Sequence, residues 1–268
     1  EKRPRSSQTK RFLTSLESGI QKNCEVVSCM PEPLPELKNS YFLLRHGQSE
    51  GNVEGVISSA RSLATSEKHG LTKLGYEQGV ESATNLLDLL EQQHESSEDN
   101  TKNVIFYSSP FSRARQTAQA CLDGMKGEAQ SERAKQMGLD IQLDMIIEDG
   151  LMERFFGRLD AEPLSTYGFV WPVDMINVTH TEYDVESVAA VSTRIREVVL
   201  KIDEQHENCN IVLVSHADVL QITQCYAAGL PNVGLFSQYR FGNGEVRAMQ
   251  RSETSLPEPA PLDPPEKA

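Results

Sequence analysis

The sequence has few of the residue patterns that bind structural metals or form disulfide frameworks. The five cysteines are an odd number with no Cys-x-x-Cys pair, and the six histidines form no His-Glu-x-x-His motif. Scattered cysteines of this kind are typical of reduced thiols in an intracellular protein. We therefore expect no disulfide framework, no metal site and no cofactor.

Long apolar runs are also missing. No run approaches the roughly 20 residues that a membrane-spanning helix requires, and the first residues show no signal-peptide pattern. These absences predict a cytoplasmic location. A nuclear or organellar location stays open, because the sequence begins at Glu1 and carries "KRPR", weak evidence for nuclear targeting, directly after it.

Basic residues are too few to balance the acidic ones. The chain has 26 Lys and Arg against 39 Asp and Glu, which gives a net charge of −13. Such a surface repels nucleic acid and anionic membranes, so we expect neither as a partner. A small phosphorylated substrate is compatible with this charge, because a few arginines in a cleft produce a locally positive pocket. The sequence gives no indication of the oligomeric state.

The composition divides the chain into three parts. Residues 1–38 form a basic, proline-containing arm, residues 39–250 a globular domain, and residues 251–268 a proline-rich tail. Within the domain, helix-like and strand-like segments alternate. This alternation predicts an α/β fold, a three-layer sandwich with a mainly parallel central sheet and helices on both faces.

Apolar periodicity and turn signals locate the individual elements. A polar surface loop is expected at 91–102, and a final hairpin is expected to turn at Asn243-Gly244. Thr72 is a candidate N-cap for the first long helix. The predicted strands are 41–44, 103–109, 141–147 and 210–216, and the predicted helices are 72–90, 111–122, 185–204 and 217–228.

Two apolar strands end in the same way, each with a histidine. His46 follows the first strand and His216 ends the last one, and each run is apolar throughout, as a strand buried on both faces should be. In open α/β sheets the active crevice lies at the carboxyl edge, so these two side chains are expected to meet there. Arg45 precedes the first histidine, and the helix after strand 103–109 places Arg113 and Arg115 near the same crevice.

Two histidines and several arginines around helix N-termini suit a phosphoryl group. His46 would face the phosphate, and Gly47 would let the backbone turn closely against that ligand. Each residue also has an ordinary structural interpretation. Strand-end histidines are usually satisfied polar groups, and Arg113, Arg115 and Glu153 could be surface charges. Those interpretations leave the shared strand-end geometry unexplained.

Five motifs in chain order resemble the histidine phosphatase superfamily, with its phosphoglycerate mutase-like fold. They are "LLRHGQSEGN", "GLTKLGYEQ", "YSSPFSRARQTA", "LMERFFG" and "LVSHADVLQ", and the similarity spans roughly residues 39–247. The resemblance implies that His46 is the nucleophile and that Glu153 is the proton donor. It implies phosphoryl or substrate binding by a further set of residues: Arg45, Arg113, His216, Asn52, Ser49, Gly47 and Ala217.

The chain departs from the family pattern at three places. Ala217 stands where the family usually has glycine, and "YDVES" replaces a Gly-Glu-Ser start, which weakens any role for Glu186. Residues 160–184 resemble no known specificity insert. We expect this segment either to pack as a surface loop or to cover the crevice and select the leaving group of the substrate.

The residue set predicts a metal-independent phosphomonoesterase that acts on a small phosphorylated metabolite through a phosphohistidine. In that mechanism a protonated His216 helps to hold the phosphoryl oxygens. A phosphoglycerate mutase is the alternative within enzymes, but the long insert that we associate with cofactor-dependent mutases is absent. A non-catalytic phosphate- or phosphoprotein-binding module, with the terminal arms as docking segments, also stays open.

Overall fold

The computed structural model describes residues 29–96 and 103–263. Three parts of the chain lie outside the described residues: the first 28 residues of the predicted arm 1–38, the second half of the predicted loop 91–102, and the last five residues of the predicted tail. The predicted domain boundaries therefore stay predictions.

The centre of the fold is a six-stranded sheet. Its strands are β1 (Ser40–Arg45), β2 (Asn103–Ser108), β3 (Asp140–Ile141), β4 (Ile146–Ile147), β5 (Cys209–Ser215) and β6 (Val246–Ala248). The order is β3-β2-β5-β1-β6, with β4 also paired to β2. All pairs are parallel except β6, which runs antiparallel to β1. The predicted mainly parallel sheet is confirmed, although the single strand expected at 141–147 is split into β3 and β4.

Seven helices surround this sheet in the described part of the chain. They are α1 (Glu50–Glu54), α2 (Lys73–Ser96), α3 (Ser112–Met125), α4 (Glu128–Gln136), α5 (Tyr167–Asp174), α6 (Val188–Gln205) and α7 (Ala217–Ala227). Thr72 caps α2 as predicted, because the Gly75 N–H donates to its hydroxyl at 3.0 Å. Helix α2 continues six residues past the predicted end at residue 90. The Glu and Gln residues there form helix readily, so polarity alone did not mark a loop.

Alternate residues of the central strands enter two separate cores. Phe42 and Leu44 pack with Leu86 of α2 and Ala118 of α3 on one face. On the other face, Leu43 packs with residues of α6 and α7. Because successive strand side chains point to opposite faces, a sheet covered on both faces requires apolar residues at every position. The three-layer sandwich is thereby confirmed.

The sequence after β1 is held against α2 by two glycines. A Cβ on Gly47 would lie 2.2 Å from the carbonyl oxygen of Gly75, so no other residue fits there without moving the backbone. The Gly47 N–H donates to the Thr117 hydroxyl at 3.0 Å. The close neighbour that requires a glycine at this position is thus helix α2, and a contact of Gly47 with a ligand stays a prediction.

The predicted C-terminal hairpin is wrong, although its turn is present. Gly244 has a left-handed φ of +70°, as the Asn-Gly pair indicated. The residues before the turn form no strand, because their backbone groups are bound elsewhere. The Phe241 carbonyl accepts from Arg45 Nη1 at 2.6 Å, and the Gly244 N–H donates to the His46 carbonyl at 3.2 Å. Only β6 pairs with the sheet, and it pairs with β1.

No helix within residues 29–96 and 103–263 combines the length and the apolar character needed to cross a membrane.

Candidate active site

A pocket opens at the carboxyl edge of β1 and β5, where the sequence predicted a crevice. Register places Arg45 of β1 beside Ser215 of β5, so both strands end at the same level. The space is about 160 Å³, large enough for a small organic phosphate. Seven of the predicted site residues line it: Arg45, His46, Ser49, Asn52, Arg113, Glu153 and Ala217.

His46 is buried, with 3% of its surface exposed. Its Nδ1 lies 2.7 Å from the Gly47 carbonyl oxygen, which can only accept, so Nδ1 carries the ring proton. The lone pair is therefore on Nε2, which accepts from Arg113 Nε at 3.3 Å. Burial, with the charges of Arg113 and Arg45, holds the pKa of His46 well below its ordinary value. The ring is neutral and nucleophilic at Nε2.

His216 lies directly behind this ring and is fully buried. The two ring centroids are 5.2 Å apart, and the Ser109 hydroxyl lies 2.8 Å from His216 Nε2. Burial and the charge of Arg113 hold the pKa of His216 well below its ordinary value. The expected protonated His216 is therefore not supported, because a third cation beside Arg113 and Arg45 in a buried site is unfavourable.

The tautomer of His216 follows from its neighbours. The Ser109 oxygen accepts from the Phe111 N–H at 3.4 Å, so its own proton is free to go to His216 Nε2. The remaining ring proton is then on Nδ1, which lies 3.8 Å from Glu153 Oε2 and is buried without a hydrogen-bond partner among the described residues. A neutral His216 can thus still donate one hydrogen bond.

Arg45 and Arg113 supply the positive charge of the pocket. Arg113 Nη2 donates to the Ser58 carbonyl at 2.8 Å, and its guanidinium lies over the Phe111 ring at 4.7 Å from the centroid. Burial lowers the pKa of Arg113 to about 10 and also lowers that of Arg45, and both stay charged at neutral pH. Arg115, in contrast, lies outside the pocket and pairs with Glu67 at 2.9 Å. The expectation that Arg115 lies near the crevice is not confirmed.

Glu153 is a buried carboxyl group, with 7% of its surface exposed. Its Oε1 accepts from the Arg154 N–H at 2.9 Å. Burial and the neighbouring Asp218 raise the pKa of Glu153 to about 7, against the opposing charges of Arg113 and Arg45. A carboxyl group with this pKa exchanges a proton at neutral pH, which suits a general acid and base.

This burial predicts a measurable cost in stability. Below pH 4.5 Glu153 is protonated in both the folded and the unfolded chain; as the pH rises towards 7, only the unfolded state ionises freely, so stability falls. At about 1.4 kcal/mol per pKa unit, the loss is on the order of 3 kcal/mol. Glu153→Gln should therefore resist urea better than the wild type at pH 8 and equally at pH 4. The exposed Glu182→Gln should show no such difference, and equal stability of Glu153→Gln and wild type at both pH values would contradict the assignment.

The remaining predicted residues hold the loop at the mouth of the pocket. Ser49 caps α1, and its hydroxyl donates to Asn52 Oδ1 at 2.9 Å. Asn52 Oδ1 also accepts from the Ser49 N–H at 3.0 Å, so the amide NH₂ of Asn52 is the group left for a ligand. Ala217 is the first residue of α7, where helix N–H groups point outward.

A buried ion network under the pocket was not predicted. Arg154 is fully buried and binds both oxygens of Asp174, at 2.7 and 2.8 Å. A second carboxylate, Asp218, lines the pocket and lies 3.4 Å from Arg154 Nη1. His180 Nε2 contacts Asp174 at 2.7 Å. This network fixes the residue next to Glu153, and "ER" within "LMERFFG" was its only sequence signal.

Residues 160–184 form part of the pocket wall. The Leu164 N–H donates to the Gly55 carbonyl at 3.0 Å, which fixes the segment beside α1. Leu164, Tyr167 and Trp171 line the pocket, whereas Phe169 is 61% exposed and points away. The segment is thus both packed and at the crevice. Glu186, which follows it, binds Arg194 at 2.8 Å and has no place in the lining.

Comparison with models of protein families identifies the family of this chain. Residues 41–255 match the model of the histidine phosphatase superfamily (branch 1), so the chain belongs to this superfamily. A curated relative, the adenosylcobalamin/α-ribazole phosphatase of Escherichia coli K12, is 28% identical over 201 residues, which cover 71% of this chain and 79% of the relative. The predicted family is confirmed, and with it the expectation of a phosphatase-type hydrolase.

Solved structures confirm the fold. A mycobacterial glucosyl-3-phosphoglycerate phosphatase is 18% identical with a TM-score of 0.53, over 77% of this chain and 88% of that one. A phosphoserine phosphatase from Entamoeba histolytica, solved with 3-phosphoglyceric acid, is 22% identical with a TM-score of 0.52, over 78% and 88%. At these identities the similarity establishes the fold alone.

Proposed function

We propose that the protein hydrolyses a small phosphate monoester through a phosphohistidine on His46. The main support for this proposal is the 2.7 Å contact between His46 Nδ1 and the Gly47 carbonyl oxygen. This contact leaves the lone pair of the ring on Nε2, beside Arg113. A neutral imidazole held in one tautomer next to a buried guanidinium is suited to attack phosphorus.

In the first step Nε2 of His46 attacks phosphorus, the P–N bond forms, and the P–O bond to the leaving group breaks. Arg45 and Arg113 offset the charge on the phosphoryl oxygens, and the Nδ1–H of His216 donates one further hydrogen bond. Protonated Glu153 gives its proton to the departing oxygen. This distribution of roles uses His216 as a neutral donor in place of the cation that the sequence suggested.

In the second step water replaces the histidine. Glu153, now ionised, accepts a proton from the attacking water, the new P–O bond forms and the P–N bond breaks. Inorganic phosphate leaves, and Glu153 is again protonated. The pKa of about 7 allows one carboxyl group to serve in both directions.

Phosphate release from p-nitrophenyl phosphate, followed by a panel of phosphorylated sugars, glycerates and nucleotides, tests this function. A mutase would move the phosphoryl group between two positions of one substrate with little free phosphate. A binding module would retain phosphorylated ligands without turnover. Either result would contradict the proposed hydrolysis.

The site should also work without a divalent ion. The described residues contain no group of three or more His, Cys, Asp or Glu side chains placed to hold a metal. We therefore expect excess EDTA to leave the rate unchanged and vanadate, which adopts a trigonal-bipyramidal geometry, to compete with substrate. Loss of activity in EDTA with recovery in magnesium or zinc would count against an arginine and histidine site.

The net charge of −13 argues against nucleic acid or an anionic membrane as a partner. The locally positive pocket around Arg45 and Arg113 supports a small phosphorylated substrate. The scattered cysteines support the cytoplasm as the location.

A further inference from the structure

Three arginines line the pocket without a carboxylate partner. Arg45, Arg113 and Arg240 have no Asp or Glu oxygen within 4.0 Å in the part of the chain that the structure describes. Most other described arginines are paired in this way: Arg61, Arg115, Arg133, Arg154, Arg158, Arg194 and Arg247. The chain has 39 acidic residues, yet three arginines around one pocket have no carboxylate partner among the described residues. They indicate a ligand that carries more negative charge than the one phosphoryl group that Arg45 and Arg113 would bind.

Arg240 is held in a defined position on the pocket wall. Its guanidinium carbon lies 5.6 Å from the centroid of a Trp171 ring, and Nε donates to the Ser237 carbonyl at 3.3 Å. Nη2 donates to the carbonyls of Pro261, at 3.2 Å, and Asp263. These are all neutral acceptors, so the positive charge stays uncompensated, and Nη1 has no partner among the described residues.

The two carbonyl groups that accept from Arg240 Nη2 belong to the C-terminal tail, whose described residues, 251–263, contact the domain. Leu256 and Leu262 pack against the larger core, and the Ala260 N–H donates to the Gln238 carbonyl at 2.8 Å. The described part of the tail, residues 251–263, contacts Arg240, the pocket arginine that belongs to neither β1 nor α3. A surface arginine on a long flexible side chain would otherwise lose this position to rotamer entropy.

We propose that Arg240 binds a second anionic group, a carboxylate or a phosphate, on the leaving group of the substrate, and that the C-terminal tail positions Arg240 for this contact. The inference rests on the proposed phosphatase function and adds the substrate class. Leu164, Tyr167, Trp171 and Phe241 give this pocket apolar and aromatic surface, and the polar side chains of Asp218, Gln221 and Asn243 also line it. A hydrogen bond from the Arg240 guanidinium to an anion is charge-assisted, and such bonds are stronger than those between neutral groups.

Matched pairs of esters test the charge preference. 3-Phosphoglycerate against glycerol 3-phosphate tests a carboxylate, and fructose 1,6-bisphosphate against fructose 6-phosphate tests a second phosphate. For the preferred pair, the charge preference is the kcat/KM of the ester with the second anionic group divided by that of the ester without it. Arg240→Gln should lower this ratio by about 10- to 100-fold, because one hydrogen bond to a charged group is lost. Arg158→Gln, an exposed arginine away from the pocket, should leave both ratios unchanged. Unchanged ratios in Arg240→Gln would overturn the proposal.

A second pair of variants tests the tail. Ala260→Pro removes the N–H that binds Gln238, whereas Glu258→Pro changes an exposed position whose N–H binds nothing among the described residues. Ala260→Pro should lower the same kcat/KM ratio. The double variant with Arg240→Gln should show no further loss, because the effects of coupled residues are not additive. A normal ratio in Ala260→Pro, or an additive loss, would overturn the positioning role.

If the wild type hydrolyses no ester at all, the proposed function fails; if it hydrolyses both members of each pair equally, only this inference fails.

Discussion

Replacing His46 by alanine is expected to lower kcat by at least about 10³-fold, because no other group can form the phosphoenzyme. The lone pair on His46 Nε2 faces the pocket beside Arg113. The other histidine at the site, His216, is hydrogen-bonded at Nε2 to Ser109. The first step therefore has no substitute nucleophile. The measurement is phosphate release under saturating substrate, together with trapping of radiolabelled phosphoenzyme in a denaturing quench at alkaline pH, where a phosphohistidine is stable.

Stability must be followed in the same variant, since His46 is buried and its replacement leaves a cavity. The control is His206→Ala, which removes a half-buried histidine that contacts the Tyr107 hydroxyl at 2.8 Å, away from the pocket. Both variants should remain folded by circular dichroism, and only His46→Ala should lose turnover. Substantial hydrolysis by folded His46→Ala protein would refute the nucleophile assignment.

The parts of the site that the sequence could predict are those fixed by the parallel sheet. His46 and His216 are 170 positions apart, yet both follow apolar strands, and parallel strands place their carboxyl ends at one edge. The same rule applies to Arg113, because α3 begins just after β2 ends. Local pattern and topology together were enough for these three residues.

The parts that could not be predicted depend on contacts between segments of irregular structure. Arg154 binds Asp174 across 20 positions and approaches Asp218 across 64, and no periodicity marks such pairs. The Asn243-Gly244 turn predicted a hairpin, but Phe241 binds Arg45 instead of a strand partner, and this leaves Arg240 on the pocket wall. The protonation state of His216 also depends on long-range contacts, because burial and the charges of Arg113 and Arg45 keep the ring neutral.

For Glu153, the sequence motif and the buried environment both indicate a group that transfers a proton. The motif suggested a proton donor, and burial beside Asp218 raises its pKa to about 7. A general acid acts from its protonated form, so hydrolysis of alkyl phosphates should fall as the pH rises above 7. Glutamine cannot titrate, and this pH dependence should be absent from Glu153→Gln.

Glu153→Gln is expected to reduce hydrolysis of alkyl phosphates by about 10²- to 10⁴-fold, the usual contribution of a general acid or base. With p-nitrophenyl phosphate the departing phenolate is already stable, so phosphorylation of His46 should tolerate the change. Dephosphorylation still needs a base for water, which glutamine does not supply.

The variant should therefore accumulate an acid-labile, base-stable phosphohistidine when it is given the aryl ester. Rapid quench at neutral pH measures this species, and Glu182→Gln serves as the exposed control that should not accumulate it. The amide oxygen of the Glu153→Gln variant can still accept the hydrogen bond from the Arg154 N–H that Glu153 Oε1 accepts at 2.9 Å, so the loss would reflect proton transfer and not a displaced chain. An unchanged alkyl-phosphate rate without phosphoenzyme would remove Glu153 from the mechanism.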